Sequence, residues 1–350
     1  MKRYGNLWPQ VISFENLLLA ARKAQKGKRL TSPVLQFNYN LEHNLVQLQT
    51  ELQEQIYIPG EYRHFYVYDP KKRLISAAPY RDRIVHHALC NIIAPLLERS
   101  FIDTSYANRV GYGSHRAVQT FTKFSRTYAY VLQCDIRKFF PSINHEILKS
   151  TICHKIKCKK TLWLINLIID NGQALQPVIH YFSGDNLLTP VLSPSGLPIG
   201  NLTSQLFANV YLNSFDHFIQ EDLKNPVYIR YVDDFALFSD DHAKLATIRP
   251  KLETYLAGLR LKIHPIKSQL HKTNDGANFL GFRILPNQIR LRSDSLKRLR
   301  SKIKQRSKDY QSKKIDPIAL HQSIQSWKAH LNHGNTQQLQ HNLFDRFLIK

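Results

Sequence analysis

Cysteine is scarce in this chain of 350 residues, and its four copies never form a Cys-x-x-Cys pair. Cys153, His154 and Cys158 form one short group of soft metal ligands, but no second half-site with zinc spacing follows them. Because disulfides belong to oxidising compartments, we expect four reduced thiols in a cytoplasmic protein. The scarcity argues against a disulfide scaffold and against a structural zinc site.

Long apolar runs are absent as well. The opening sequence MKRYGNLWPQ has no apolar core with a cleavage site, and no later run approaches the length of a membrane span. We therefore expect no membrane partner. Hydrophobic residues still make up 43% of the chain, which is too many for a disordered protein. The length is enough for two or three packed subdomains.

Acidic residues are few. The chain has 26 Asp and Glu against 49 Lys and Arg, which gives a formal net charge of +23 and a pI near 9.9. Such an excess favours a polyanionic partner and predicts salt-dependent binding. A basic protein of the ribosomal type, or one that binds membrane surfaces, would fit the charge equally well. Charge therefore narrows the class of partner and says nothing about chemistry.

The few acidic residues include one adjacent pair in the stretch YIRYVDDFALFSD, residues 228–240. Apolar residues alternate on both sides of Asp233 and Asp234, which predicts a strand, a tight turn and a returning strand. Aspartate is common in turns for its own sake, so the pair alone does not establish a metal site. However, adjacent carboxylates between apolar strands repel each other and lose solvation, and a bound Mg²⁺ would compensate for both effects.

A third carboxylate lies at the end of an earlier predicted strand. Residues 130–134 form a short apolar run, and Asp135 follows directly, with Arg137 and Lys138 close behind. Mg²⁺ in proteins is usually held by one or two carboxylates together with substrate phosphates. The three aspartates therefore predict a magnesium site that acts on a phosphate-containing substrate.

Basic and glycine-bearing segments could bring such a substrate to the site. Residues 61–78 are typical of an aromatic, basic hairpin with its turn at residues 69–72. This hairpin could contact nucleic acid, or it could end in an ordinary solvated turn. Arg81 and Arg83 precede or begin the next helix, where the helix dipole disfavours cations and an anionic ligand would compensate. The glycine-bearing loop 193–201 leads into a further helix, and such a loop can hold a base or a phosphate.

The remaining periodicities predict structural elements. Ser142 is the expected N-cap of the helix that follows it, and Asn278 to Ile284 is expected to be one short strand with a central glycine. From Arg290 onward the chain is expected to be helical and basic, which favours binding to a duplex backbone over a merely solvated face. Apolar spacing predicts helices at residues 11–29, 40–54, 115–127, 161–170 and 242–259.

In this order the motifs resemble those of a reverse transcriptase. DIRKFF, which begins at Asp135, resembles motif A, GLPIGNLTSQLFAN motif B, YVDD motif C, the segment around Lys267 motif D and NFLGF motif E. The aromatic hairpin and RDRIVHHAL resemble the fingers motifs of the same family. YVDD alone is moderately specific, whereas five motifs in the expected order are strongly specific, and they cover nearly the whole chain.

The resemblance implies an α+β protein with the right-hand polymerase fold: fingers, a palm built on an antiparallel sheet, and a helical thumb. We expect the N-terminal extension and fingers in residues 1–129, the palm in 130–285 with a fingers contribution, and the basic helical thumb in 286–350. The implied activity is that of an RNA-directed DNA polymerase, which copies template RNA into cDNA. Its partners would be dNTPs, the template RNA and the RNA/cDNA duplex.

The resemblance also implies roles for individual residues. The metal ligands for two Mg²⁺ ions, or for Mn²⁺ in their place, would be Asp135, Asp233, Asp234 and the backbone carbonyl of Ile136. Lys267 would donate a proton to pyrophosphate. Arg81 and Arg83 would clamp the triphosphate, and Phe140 would exclude a 2′-hydroxyl. The full sets are Arg81, Arg83, Lys138, Phe139, Phe140, Ile199, Gly200 and Gln205 for nucleotide and template, and Phe279, Leu280 and Gly281 for the primer grip.

Within the family, the sequence is most similar to the reverse transcriptases of diversity-generating retroelements, in the group II intron-like bacterial lineage. The similarity lies in IGNLTSQ, in the opening SFENLLLAARKAQKGKR and in the short chain. Group II intron and retroviral enzymes typically have Gln where this chain has Ile199. An aliphatic residue there implies error-prone copying opposite template adenines. The resemblance also implies a small, basic, oligomeric accessory protein.

Two alternatives remain open at this stage. The chain could be a retron- or defence-type bacterial reverse transcriptase that uses another RNA, and neighbouring genes would distinguish the two. It could also be a nucleic-acid-binding scaffold with a dead active site, although the three intact aspartates argue against that interpretation.

Overall fold

The computed structural model describes residues 3–68, 71–172 and 178–348. Its helices are α1 (Trp8–Val11), α2 (Phe14–Ala24), α3 (Ser32–Tyr39), α4 (Leu41–Gln53), α5 (Tyr80–Leu97), α6 (Ser114–Thr127), α7 (Phe139–Ser142), α8 (His145–Cys153), α9 (Lys159–Asp170), α10 (Thr189–Leu192), α11 (Leu202–His217), α12 (His242–Gly258), α13 (Ser293–Gln311), α14 (Pro317–Leu331) and α15 (Gln337–Leu348). Its strands are β1 (Arg63–Val67), β2 (Arg73–Ala77), β3 (Tyr130–Asp135), β4 (Tyr228–Tyr231), β5 (Asp234–Ser239), β6 (Gln269–Lys272), β7 (Ala277–Phe279), β8 (Phe282–Leu285) and β9 (Gln288–Leu291).

The predicted α+β class is confirmed, because helices accompany three antiparallel sheets within the described residues. The largest sheet has the strand order β4-β5-β3-β6. The hairpin predicted at residues 228–240 is confirmed, with Tyr231 of β4 opposite Asp234 of β5. Four consecutive residues of β5, Phe235 to Phe238, are buried, so both faces of this strand are covered.

The chain forms two compact units, which differ from the three domains expected from the sequence. The first contains the described residues of Met1–Asp103, Ile136–Leu223 and Lys251–Ile263. The second contains those of Thr104–Asp135, Lys224–Pro250 and His264–Lys350. The division into fingers, palm and thumb stays a prediction.

Helix α5 is the central helix of the first unit. Its residues Ile84, Val85 and Leu89 are fully buried, and α2 and α11 pack against it. Helix α2 begins where the Ser13 side chain accepts a hydrogen bond from the Asn16 backbone N–H at 3.2 Å, as an N-cap should. The apolar positions of α5 thus gather the N-terminal helices and α11 into one core.

The second unit is built on the largest sheet and α6. Helix α6 buries Ala117, Val118 and Phe121, a spacing that places them on one helical face. The Phe121 ring packs edge-on against Phe238, with ring centroids 4.9 Å apart, and stacks on Phe279 at 4.7 Å. This core holds both the large sheet and the β7-β8-β9 sheet on α6.

The C-terminal helices α13, α14 and α15 have a small core of their own, formed by Leu299, Ile303, Leu331, Leu343 and Phe344. The Asp316 carboxylate caps α14 by accepting from the Ala319 backbone N–H at 2.6 Å. The opposite face of α13 is basic and exposed, with Lys297, Arg298, Arg300, Lys302, Lys304 and Lys308. The basic helical character predicted for this region is confirmed.

Three predictions about local structure are wrong. The expected strand from Asn278 to Ile284 is a hairpin, because Leu280 (φ 48°) and Gly281 (φ 90°) form a tight turn between β7 and β8. Arg290 lies in β9, so the helix begins only at Ser293.

The third wrong prediction is that Ser142 caps the following helix. Ser142 is instead the last residue of α7. Its hydroxyl donates to the Lys138 carbonyl at 2.8 Å. The N-cap of α8 is Asn144, whose side-chain oxygen accepts from the Ile147 backbone N–H at 3.0 Å.

The remaining outcomes concern the hairpin turn, the cysteines and the membrane. The aromatic hairpin is confirmed as β1 and β2, but Asp69 and Pro70 of its expected turn lie outside the described residues. All four cysteines are free thiols. In the part of the chain that the structure describes, no helix has both the length and the apolar character of a membrane span.

Candidate active site

The sheet register brings the predicted carboxylates together. Strand β3 ends at Asp135, which lies directly opposite Asp234, the first residue of β5. Asp233 occupies the turn between β4 and β5. Residues directly opposite in an antiparallel pair have Cβ atoms about 5 Å apart. The three carboxylates predicted from the sequence therefore share one end of the sheet.

The turn that presents the carboxylates is strained. Val232 has φ 59°, a left-handed conformation that a β-branched residue rarely adopts. Arg230 is fully buried below it, and its guanidinium donates to the Val232 carbonyl at 3.1 Å. Its backbone is also tied to a neighbouring segment, donating to the Thr104 carbonyl and accepting from the Tyr106 N–H, both at 3.0 Å.

Sequence reasoning missed this supporting role of Arg230. The available signal was an arginine within a strand whose neighbours, Ile229 and Tyr228, are fully buried. A buried arginine needs hydrogen-bond partners, so its presence indicates a polar structure close by. Here that structure includes the turn that carries Asp233.

The surroundings of Asp234 disfavour its ionised form. Burial, together with repulsion from Asp233 and Asp135, raises the pKa of Asp234 to about 7. Lys267 opposes this shift, since its Nζ lies 2.7 Å from Oδ1 of Asp135. Lys267 lies just before β6 and forms an ion pair with Asp135. Its role toward pyrophosphate stays a prediction.

The donor set fits an oxygen-preferring divalent cation. Close carboxylates whose repulsion raises a pKa are the environment that a bound cation would stabilise. Among the described residues, no group of three or more His, Cys, Asp or Glu side chains is already arranged as a metal site. The positive charge beside Asp135 is the ammonium group of Lys267.

The residues after Asp135 form a short turn of helix. Ile136 is buried and pairs with Ile263 in an isolated antiparallel bridge. Lys138 is exposed with left-handed backbone (φ 47°). Phe139 is buried, so its side chain belongs to the core, whereas the half-exposed Phe140 packs edge-on against it at 5.6 Å.

The two arginines assigned to the triphosphate differ in their surroundings. Arg81 forms an ion pair with Glu51 of α4, and its guanidinium lies 4.9 Å from the centre of the Tyr57 ring. Arg83 is half-buried, with its guanidinium 5.5 Å from the centre of the Tyr80 ring. Burial lowers the pKa of both groups. The sequence offered no signal for Glu51 as the partner of Arg81.

The predicted nucleotide loop packs on the aromatic hairpin. The Ile199 carbonyl accepts from the Ser76 N–H of β2 at 3.0 Å. Gly200 has φ 123°, and a Cβ there would lie 3.0 Å from Cγ2 of Ile75, so both conformation and space favour glycine. Gln205 is half-buried in the first turn of α11.

The predicted primer-grip residues form the β7–β8 turn. Phe279 is buried against Phe121, which leaves its side chain no free surface for a primer. Leu280 and Gly281 are half-exposed at the turn itself. Of the three, these two are available for contact.

Comparisons with known proteins identify a family and several relatives. Residues 68–284, more than half of the chain, match the family described as reverse transcriptase (RNA-dependent DNA polymerase). Protein YkfC of Escherichia coli K12 is 25% identical over 283 residues, which cover 69% of this chain and 71% of YkfC. The group II intron-encoded protein LtrA of Lactococcus lactis subsp. cremoris is 25% identical over 181 residues, which cover 51% of this chain and only 28% of LtrA.

A solved structure of apo telomerase from Candida tropicalis, truncated from its C-terminal domain, is also similar. The match covers 67% of this chain and 55% of the telomerase chain, with a TM-score of 0.47 and 13% sequence identity. The family match spans all three aspartates and the loop that contains Ile199. The chain therefore belongs to the reverse transcriptase family and is an RNA-directed DNA polymerase.

Proposed function

We propose that this enzyme copies the template-repeat RNA of a diversity-generating retroelement, and that it does so with frequent errors opposite adenine. The observation that carries the proposal is Ile199, an aliphatic residue in the loop where related enzymes typically have glutamine. Its backbone is held by β2 through the hydrogen bond to Ser76. A branched apolar side chain cannot donate or accept hydrogen bonds, so it would discriminate less between correct and incorrect base pairs.

In the proposed mechanism, Asp135, Asp233, Asp234 and the Ile136 carbonyl would hold two Mg²⁺ ions, with Mn²⁺ as a substitute. When bound, the ions would activate the primer 3′-hydroxyl and stabilise the leaving pyrophosphate. Asp234, whose pKa is raised to about 7, would have to give up its proton to solvent in order to hold a cation. Lys267, whose Nζ lies beside Asp135, would give a proton to pyrophosphate.

The other assigned residues would hold the substrates. Arg81 and Arg83 would contact the triphosphate together with the backbone N–H groups of Lys138 and Phe139. Phe140 would exclude a 2′-hydroxyl, while Ile199, Gly200 and Gln205 would line the nascent base pair and template. Leu280 and Gly281, in the turn that follows Phe279, would support the primer.

We further propose that RNA and the RNA/cDNA duplex lie along basic surfaces such as the exposed face of α13, and that a small, basic, oligomeric accessory protein completes the active assembly. Phosphate contacts of this kind give affinity that falls steeply with salt. An increase in cDNA yield on addition of such a protein, encoded next to this gene, would support the partner.

The mutagenic claim is tested by steady-state incorporation opposite template A, U, G and C. We expect misincorporation to be highest opposite A, and we expect Ile199→Gln to reduce it. Ile318→Gln is the matched control, since Ile318 is an exposed residue of α14. Equal fidelity opposite all four bases would contradict the mutagenic role and leave a reverse transcriptase of another bacterial type.

A further inference from the structure

The nucleotide loop, residues 193–201, is irregular backbone that needs external support. It connects α10 to α11 and has left-handed glycines at Gly196 (φ 106°) and Gly200 (φ 123°). Backbone groups of an earlier segment hold its first half: the Gly196 N–H donates to the Ile143 carbonyl at 2.8 Å, and the Leu197 N–H donates to the Phe140 carbonyl at 2.9 Å. The loop therefore depends on the chain that follows Asp135.

Side chains take part in this support as well. The Asn144 Nδ2 donates to the Ser193 hydroxyl oxygen at 2.5 Å. His145 is fully buried at the start of α8, and its Nε2 lies 2.7 Å from the Gly196 carbonyl oxygen. Because a carbonyl can only accept, Nε2 carries the proton. Nδ1 lies 3.8 Å from Oδ1 of Asp170, which pairs with Lys149 at 2.7 Å. The imidazole therefore makes one directed hydrogen bond, and that bond is to the loop.

The second half of the loop is held from another side. The Ile199 carbonyl accepts from Ser76, and the Asn201 side-chain oxygen accepts from the Ala78 N–H at 3.4 Å. Only Leu197 and Pro198 lie between Gly196 and Ile199, too few residues to absorb a displacement without changing the backbone at Ile199. The position of Ile199 and Gly200 therefore depends on the backbone bonds to Ile143 and Phe140, on the His145 side chain and on β2.

We propose that His145 is a positioning residue for nucleotide selection, which holds the Gly196 carbonyl and thereby places Ile199 and Gly200 against the nascent base pair. This inference rests on the proposed role of Ile199 and Gly200 at that base pair. His145 touches neither substrate nor metal ligand in this role. Its contribution is to the binding of the incoming nucleotide, whereas the chemical step depends on the aspartates.

Two amide variants test the proposal. In His145→Gln the amide nitrogen reaches about as far as Nε2, so the hydrogen bond to Gly196 is kept. In His145→Asn the nitrogen is one carbon shorter and cannot reach. Losing a partner for a buried carbonyl predicts a rise of about tenfold in KM for the correct dNTP in His145→Asn, with kcat changed by less than about threefold. We expect KM in His145→Gln to stay within about threefold of wild type.

A control on the same helix separates positioning from stability. Leu148 is fully buried in α8, so Leu148→Ala weakens packing and should lower thermal stability without a selective rise in KM. Equal losses in His145→Asn and His145→Gln, or a loss matched by Leu148→Ala at the same thermal stability, would overturn the proposal and make His145 purely structural. Unchanged KM in both amide variants would also overturn it.

The measured KM does not depend on the mutagenic claim, because the assay uses the correct nucleotide opposite each of the four template bases. Uniform fidelity in the wild-type enzyme would contradict the retroelement role and leave the difference between the two amide variants measurable. Misincorporation confined to template A, with no difference between the amide variants, would contradict the role of His145 alone.

Discussion

Asp234 should destabilise the metal-free protein as pH rises. Its pKa is raised from the ordinary 3.8 to about 7. Between these values the native state keeps a proton that the unfolded chain has released, so the free energy of unfolding falls with increasing pH. At 1.36 kcal/mol per pKa unit, a difference between 3.8 and about 7 corresponds to about 4 kcal/mol of lost stability above pH 7.

The assay is urea unfolding in EDTA at pH 5, 6, 7 and 8. Asp234→Asn keeps a neutral, similarly shaped side chain, so it should resemble wild type near pH 5 and be more stable than wild type at pH 8. Adding Mg²⁺ at pH 8 should stabilise wild type more than Asp234→Asn, because the ion binds the ionised carboxylate. Glu54→Gln, which changes an exposed carboxylate, is the control.

Identical pH profiles for wild type and Asp234→Asn in EDTA would refute this reasoning. Such a result would mean that the carboxylates are far enough apart, or well enough hydrated, to ionise independently. A stability of wild type that rises between pH 5 and 8, with Asp234→Asn unaffected, would reverse the sign and refute it as well.

Three further predictions concern residues around the site. Arg230→Met should lower the free energy of unfolding by about 2–3 kcal/mol in urea titrations, because it leaves the carbonyl of the strained Val232 without its guanidinium donor. Glu51→Gln should lower the KM for dNTPs a few-fold in steady-state extension assays, because it releases Arg81 from its ion pair. Lys267→Met should move the midpoint of the Asp234 pH profile upward and slow extension, because the ammonium group lowers that pKa.

Each of these has a contradicting result. Wild-type stability in Arg230→Met would show that the turn does not need its guanidinium support. An unchanged or higher KM in Glu51→Gln would remove Arg81 from the triphosphate site. A midpoint that stays in place in Lys267→Met would show that the ammonium group is too well screened to act on the carboxylates.

The catalytic hairpin is predictable because its signals are local. Alternation around Asp233 and Asp234 specifies the strands and the turn, and the apolar run before Asp135 specifies β3. The sequence also indicates that the three carboxylates belong together, because a magnesium site that acts on a phosphate-containing substrate would use all of them. The register of Asp135 with Asp234 then follows from pairing β3 with β5.

Contacts between distant segments were not predictable. Glu51 meets Arg81, and His145 meets Gly196, across stretches whose packing no local pattern encodes. The β7–β8 turn was missed for a different reason. Its first residue is Leu280 with left-handed φ, where asparagine or glycine is the usual signal, so the sequence resembles one continuous strand.

The most direct test of the central claim is single-nucleotide primer extension on an RNA template with Mg²⁺, comparing wild type with Asp233→Asn. Asp222→Asn, at an exposed carboxylate, is the matched control. We expect wild type and Asp222→Asn to extend the primer and Asp233→Asn to be slower by about three orders of magnitude or more, since a lost metal ligand removes several kcal/mol of transition-state stabilisation. Extension by Asp233→Asn at the wild-type rate would contradict the assignment of this turn as the catalytic centre.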